Sequence, residues 1–322
     1  VTVLERLFAG SIALWGIVCP ISDYPLRWIA RVIRDLLDLW RAILLIFACV
    51  ACVPIAPRAV EPKTHVYILP QISVAAPVIP ARTAKKGIGL AYPEFHNDAR
   101  NAGASWCYTW SPGGACGDDS IEFVAMVWGR SIPATLPVSV KWLLGANEPD
   151  VETQSNIAPE EYAIIWREIE GRFTNQKLAA PVPSQLDQTW IARFRDAYIA
   201  RYGHLPRLDA LTVHCYVATA EHCWVYLSWM VDRANEWGVP EVWLTEFGIW
   251  KCLNQDHYLA EIRNLVAWLE DEPMIARYAI HTNRATMNEW WMYGLPPDCN
   301  PSLFDFASGE RTLIGEVYAG AQ

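Results

Sequence analysis

Between residues 83 and 322, eight short apolar runs follow one another, and amphipathic stretches separate several of them. The runs are residues 87–92, 104–110, 121–127, 140–147, 177–182, 210–216, 241–247 and 276–282. A short run that is apolar throughout suits a strand buried on both faces, and strands that alternate with helices pack in parallel. Pro159-Glu160-Glu161 puts proline and acids where a helix begins, and residues 190–202, 224–237 and 258–269 repeat the helical spacing. These 240 residues predict an α/β fold, an eight-fold (β/α) TIM barrel, which usually takes about 250 residues.

Two of the runs stop on a glutamate. In Trp142-Leu143-Leu144-Gly145-Ala146-Asn147-Glu148-Pro149-Asp150 the proline cannot continue a central strand, so Glu148 belongs at a strand's carboxyl end. Gly248 frames Glu246 in the same way in Val242-Trp243-Leu244-Thr245-Glu246-Phe247-Gly248. The 98 positions between them hold three strand-plus-helix units of about 30 residues each. In a closed barrel both carboxyl groups then point into one mouth. Two carboxyl groups facing each other across a cleft are the minimum equipment for cleaving a glycosidic bond.

Charge narrows the partners. The chain carries a net charge of −9, and residues 1–60 hold six arginines against four acids, so the excess of acids lies in the remainder. That disfavours nucleic acid and leaves a neutral polymer unhindered. Seventeen tryptophans supply more flat aromatic surface than packing alone needs, which suits stacking on sugar rings. Three of the nine cysteines fall before residue 53; the other six are Cys107, Cys116, Cys215, Cys223, Cys252 and Cys299. Six allow fifteen pairings, and buried free thiols are the rival. Local pairing would join Cys107 to Cys116 and Cys215 to Cys223, leaving Cys252 for Cys299. No Cys-x-x-Cys pair lies in the body, and no metal or organic cofactor is expected.

Residues 1–53 read as a hydrophobic leader, a signal anchor or membrane segments, because apolar stretches at 7–21 and 42–57 flank an arginine-bearing segment. Each is shorter than the roughly 20 residues that comfortably span a bilayer, and a buried helical hairpin is the alternative. Residues 54–82 carry six prolines and little charge, as a semi-rigid linker does. The barrel domain is then 83–322. Location outside the cytoplasm, secreted or held at a membrane through residues 7–53, is expected, and so is a monomer.

Trp106-Cys107-Tyr108-Thr109-Trp110, Gly145-Ala146-Asn147-Glu148-Pro149-Asp150, His214-Cys215-Tyr216 and Trp243-Leu244-Thr245-Glu246-Phe247-Gly248, in this order, resemble the Asl1-like glycosyl hydrolase catalytic core, glycoside hydrolase family 128. The likeness covers residues 83–322. It implies a clan A barrel hydrolase acting mainly on β-1,3-glucans, with Glu148 as acid/base on the fourth strand and Glu246 as nucleophile on the seventh. Cleavage would then retain anomeric configuration, with Glu148 resting protonated, Glu246 ionised and the carboxyl groups about 5–5.5 Å apart.

The residues around the pair sharpen the expectation. Asn147 is placed to meet a sugar 2-hydroxyl, or else caps its own turn. His214 and Tyr216 share a strand face, from which one can bond Glu246; a histidine packed under the mouth is the alternative. Trp106, Tyr108 and Trp110 also share one face, and Tyr108, Trp110 and Trp250 are candidates for sugar contact. At the eighth strand, where related barrels usually carry tryptophan or phenylalanine, this chain reads Ala279-Ile280-His281-Thr282-Asn283, with Trp290 and Trp291 soon after as replacements. The sequence thus predicts a retaining endo-β-1,3-glucanase whose partner is β-glucan. The alternatives are a hydrolase or transglycosylase on another β-linked polysaccharide, or a glycan-binding barrel without activity.

Overall fold

The structure, a computed structural model, describes residues 83–320 except 185, 186, 188, 287, 288, 290–294, 297 and 298. The leader at 1–53, the linker at 54–82 and the pair Trp290 and Trp291 lie outside the described residues. Nine strands are present among those described: β1 (Lys86–Gly89), β2 (Trp106–Tyr108), β3 (Glu122–Phe123), β4 (Ala125–Met126), β5 (Trp142–Leu144), β6 (Lys177–Ala179), β7 (Leu211–Val217), β8 (Val242–Ile249) and β9 (Ile275–Ile280). They pair in parallel, in the orders β3-β2-β1-β9-β8-β7 and β4-β5-β6.

Every expected run holds a strand, the third as two halves. Only Val124 separates β3 from β4, and its N–H donates to the Cys107 carbonyl at 2.9 Å. The first half pairs with β2 and the second with β5, so one run serves both sheets. At the other side a parallel bridge from Ala179 to Ala210 links β6 to the residue before β7. The α-helices among the described residues include α1 (Asn97–Asn101), α2 (Pro159–Arg172), α3 (Trp190–Tyr202), α4 (Ala220–Trp237), α5 (Gln255–Asp271) and α6 (Leu313–Tyr318). The whole is an α/β fold, a barrel-like parallel arrangement flanked by helices. Among the described residues no helix is long and apolar enough to cross a membrane.

Local chemistry sets the helix ends. Pro159 opens α2 with Glu160 and Glu161 in its first turn, where the missing proline N–H costs nothing and the acids meet the positive end of the helix dipole. Asn254 caps α5 by accepting the N–H of His257 at 2.8 Å, a bond whose loss typically costs about 1 kcal/mol. The apolar face of α5, including Leu259, Ile262, Leu265 and Leu269, is buried against the strands.

The strands bury side chains on both faces. Cys107, Ala125, Leu143 and Leu244 join the large core shared with the helices, whereas their neighbours Trp106, Tyr108, Val124, Met126, Trp142 and Trp243 form a second cluster on the opposite face. Its amino-end layer is aromatic. The ring of Trp243 lies 4.4 Å from that of Trp142 and 5.6 Å from that of Trp106, and the Arg277 guanidinium sits 4.4 Å over it while holding Glu122 at 2.7 Å. Full burial of one such ring is worth about 2–3 kcal/mol, which makes this end a packed floor. The opposite, carboxyl end carries the polar residues.

Three disulfides stitch that polar end: Cys107–Cys116, Cys215–Cys223 and Cys252–Cys299, the pairs expected from local joining. The first ties β2 to the loop after it, the second ties β7 to α4, and the third ties the loop after β8 to the segment after β9. Closing such loops covalently lowers the entropy of the unfolded chain.

Candidate active site

Simple alternation would turn Glu246 away from the second cluster. Trp243 faces that cluster and Leu244 the helices, so strict period two would send Glu246 to the helix side as well. Instead β8 carries one extra residue: Val213 pairs with Leu244 but His214 with Glu246, and Leu244 pairs with Tyr278 but Phe247 with Ile280. Thr245 is the added residue of a β-bulge, and it swings Glu246 to the inner face. The fourth run also changes its facing at Gly145, between Leu143 and Ala146, which both face the helices, but without an added residue: Leu144 pairs with Ala179 and Asn147 with Val182. A Cβ at Gly145 would meet the Pro181 nitrogen at 2.6 Å and the Tyr162 hydroxyl at 2.9 Å, so only glycine fits this approach.

The two glutamates arrive from these resets in different states. Glu246 is buried and surrounded by donors: its Oε1 accepts from Trp110 Nε1 at 2.8 Å and from the Tyr108 hydroxyl at 3.2 Å, and its Oε2 accepts from the Tyr216 hydroxyl at 2.6 Å. Glu148, at the end of the run containing β5, is more open, with 16% of its side chain exposed against 8% for Glu246. His214 stands between them, its Nδ1 3.0 Å from Glu148 Oε1 and its Nε2 3.3 Å from Glu246 Oε1. The second contact has ion-pair distance without hydrogen-bond direction. One oxygen of each carboxylate and a nitrogen of His214 all lie within 4.8 Å of one another.

Burial opposes charge on Glu246, but His214 and His281 and the donors Tyr216 and Trp110 outweigh it and hold the carboxyl below its ordinary range. Burial likewise opposes the imidazolium of His214, yet Glu246 and then Glu148 prevail and hold it above its ordinary range. His281 goes the other way: burial keeps its imidazole below the ordinary value against the pull of Glu246, and His214 adds to the lowering. The His281 ring lies edge-on to Trp110 at 5.6 Å and to Tyr216 at 6.0 Å, at the carboxyl end of β9. Glu148, His214 and Glu246 are spaced as three ligands of a metal ion would be.

Backbone strain gathers here too. Among the described residues, three other than glycine have positive φ: Trp110 at 52°, Glu148 at 39° and Asn156 at 46°. Each such conformation costs on the order of 1 kcal/mol and persists where surrounding bonds fix it. For Glu148 the fixing bonds are its N–H to Val182 at 2.8 Å and its carbonyl accepting from Val151 at 3.1 Å.

The remaining expected residues are at hand. Asn147 Nδ2 donates to Gln154 at 3.3 Å, while Oδ1 is buried with no hydrogen-bond partner among the described residues. Trp250 is 50% exposed and its ring packs tilted against that of Tyr216, with ring centres 5.4 Å apart. Trp106 is spent in the packed floor. Sequence reading passed over Trp128, at the carboxyl end of the third run, whose carbonyl accepts the Asn147 N–H at 3.0 Å. The period-two series Val124, Met126, Trp128 was the available signal, the same one that joined Trp106, Tyr108 and Trp110.

Removing one donor from Glu246 has a directional consequence. The carboxyl is held down in part by Tyr216, so in Tyr216→Phe its ionised form should be lost at higher pH than in the unmodified protein. The acid limb of kcat/KM is expected to move up, with about a tenfold or greater loss at neutral pH, as befits a hydrogen bond to a charged group. An acid limb that stays in place would separate Tyr216 from the ionisation that matters.

A buried carboxylate held below its ordinary range and a more open one, close together at the carboxyl ends of parallel strands, fit the class of O-glycosyl hydrolases. The family described as glycosyl hydrolase catalytic core matches residues 89–318, and the chain belongs to this family. The protein is a glycoside hydrolase of the family 128 type, in agreement with the resemblance of the four sequence blocks.

Solved structures extend the likeness. The chain is similar to a family 128 subgroup II endo-β-1,3-glucanase from Pseudomonas viridiflava, with a TM-score of 0.61 and 26% identity over 74% of this chain and 98% of that one. It is similar in fold to a subgroup I endo-β-1,3-glucanase from Amycolatopsis mediterranei in complex with laminaritriose and laminaribiose, with a TM-score of 0.60 and 22% identity over 74% and 100%. A subgroup III curdlan-specific exo-β-1,3-glucanase from Blastomyces gilchristii gives a TM-score of 0.58 and 21% identity over 73% and 97%. No curated protein matches the chain.

Proposed function

We propose that the protein is a retaining endo-β-1,3-glucanase whose strands close into the eight-fold barrel, with Glu246 as nucleophile and Glu148 as acid/base. The observation that carries this reading is the pairing of a buried Glu246, bonded by Tyr216 and Trp110 and held below its ordinary range by His214, His281 and those two donors, with a more open Glu148 whose oxygen lies within 4.8 Å. In the first step a Glu246 oxygen attacks the anomeric carbon, the bond to the leaving sugar breaks, and Glu148 gives its proton to the departing oxygen. In the second, Glu148 takes a proton from water, the hydroxide attacks the same carbon, and the ester to Glu246 breaks. Two inversions leave the configuration unchanged.

His214 supports the cycle as a positioning residue that links the two carboxylates and keeps Glu246 charged. The Oδ1 of Asn147 accepts a sugar hydroxyl, and Trp110 and Trp250 border the ring; Tyr108, expected to touch sugar, is fully buried and bonds Thr245 and Glu246 instead. The β-1,3 linkage and endo action follow the relatives named above; the exo-acting relative makes release of single units the rival pattern. Three disulfides support a location outside the cytoplasm, with residues 1–53 as leader or anchor, 54–82 as linker and 83–322 as a monomeric catalytic domain.

The test is proton NMR of the products from a β-1,3-glucan oligomer. The expected first product is a set of oligosaccharides whose new reducing ends are β and only later equilibrate. An initial α product would exclude the double displacement, and glucose as the sole early product would exclude endo action. Turnover of xylan or mannan with no action on laminarin would move the substrate to another β-linked polymer.

A further inference from the structure

At the amino ends of the strands, opposite the catalytic pair, a hollow of about 260 Å³ lies where the segments before β7 and β8 meet α3. Its lining includes Arg195, Leu205, Pro206, Arg207, Trp237 and Val239. Among the described residues the charged members of that lining are the two arginines, and no acid joins them. In a chain of net charge −9, two guanidiniums facing one hollow run against the average.

The two are held in different ways. Arg207 Nη2 donates to the carbonyls of Phe173 at 2.9 Å and Gln176 at 3.0 Å, and its Nε lies 3.9 Å from Asp209, too far for a hydrogen bond. Asp209 spends that same Oδ2 on the N–H of Leu178 at 2.8 Å. Neutral carbonyls therefore fix the Arg207 fork, and its charge is only partly offset. Arg195 lies 4.9 Å over the ring of Trp237, which Arg233 of α4 approaches at 5.5 Å. The hydrogen bond of the Arg195 guanidinium goes to its exposed neighbour Asp196 at 3.3 Å, a surface pair worth at most about 1 kcal/mol.

The chemistry of the walls selects among anions. A guanidinium fork matches a planar carboxylate through two parallel hydrogen bonds, and an indole with aliphatic neighbours covers the face of a ring. Phosphate favours clustered backbone N–H groups, but those of Gly238 and Val239 are already bonded to Asn235 and Ala234, and Pro206 has none. A carboxylate carried on a sugar ring uses both kinds of wall.

We propose that this hollow binds a uronic acid unit of an acidic polysaccharide, with Arg195 and Arg207 on its carboxylate and Trp237 and Leu205 against its ring. The site is separate from the catalytic cleft and does not depend on the glucanase reading. It anchors the protein to an anionic matrix and leaves the carboxyl ends of the strands free.

The test is calorimetric binding of trigalacturonate to the whole chain and to Arg195→Ala, Arg195→Lys and, as a control on α5, Arg263→Ala. Maltotriose, acetate, inorganic phosphate and a hexaglutamate peptide are the comparison probes. Trigalacturonate should bind and maltotriose should not, and salt at about 0.5 M should weaken the binding severalfold. Arg195→Ala should lose about tenfold or more in affinity, as befits a hydrogen bond between charged groups. Arg195→Lys, which keeps the charge without the fork, should recover only part of that loss, and Arg263→Ala should match the unmodified chain. All variants should keep the same Tm. No binding of trigalacturonate by the unmodified chain, or equal binding by Arg195→Ala, overturns the site. Acetate or phosphate binding as tightly as trigalacturonate overturns the sugar, and tighter binding of hexaglutamate overturns it in favour of an acidic protein partner.

Discussion

In Glu246→Ala, kcat on a β-1,3-glucan is expected to fall by about 10⁴-fold or more, as in enzymes that lose the group forming their covalent intermediate. The reason is geometric as much as chemical. Trp110 and Tyr216 aim at this one carboxylate, so its removal leaves two donors around an empty space and no atom to attack the anomeric carbon. A small anion can occupy that space. Added azide should restore turnover of an activated aryl β-glucoside and give the α-glycosyl azide, a product that reports the face of attack. Residual hydrolysis above a few per cent without azide would assign the nucleophile elsewhere.

Glu148→Ala should behave differently, because its role depends on the leaving group. A sugar alkoxide needs a proton, so hydrolysis of a β-1,3-glucan is expected to fall by about 10²–10⁴-fold, the usual worth of general acid catalysis. An aryl glycoside whose phenolate leaves unaided should still form the covalent intermediate. It would show a burst and then a slow step, because no base activates water. In Glu148→Gln the basic limb of the pH profile should disappear. A bell-shaped profile that survives unchanged in that variant, or equal losses on glucan and activated aryl glycoside, would take the acid/base role away from Glu148.

The fold was largely legible because its signal is local. Each of the eight apolar runs contains a strand, and α3 spans the residues marked by helical spacing, since buried parallel strands and amphipathic helices write different periods into the chain. The disulfide pairs were legible for a similar reason, two of them joining cysteines nine and eight residues apart. The third run was harder to read. Its seven residues look continuous, but the strand breaks at Val124 as it passes from pairing with β2 to pairing with β5.

The site was legible in membership more than in arrangement. Asn147, Glu148, His214, Tyr216, Glu246, Tyr108, Trp110 and Trp250, expected from strand ends, the family blocks and the loop after Glu246, lie near one another at the strands' carboxyl ends, and their roles are those proposed above. Which side chain would serve which carboxylate was not legible. His214 touches both glutamates, and Trp110, expected as a sugar platform, spends its indole N–H on Glu246. Trp128 escaped because one exposed indole looks the same in sequence as twelve or more others used for packing or lying elsewhere in the chain. Its exposure depends on where the loops after β2 and β5 run.

By itself the sequence carried the alternation of strands and helices, the position of two glutamates at strand ends and local cysteine pairing as one of its open readings, because hydrophobic period, proline and short loops act over a few residues. The tertiary structure alone decided which way Glu246 faces. One added residue, Thr245, reverses the side chain that follows it, and a bulge is visible only when the neighbouring strands give the register to measure it against.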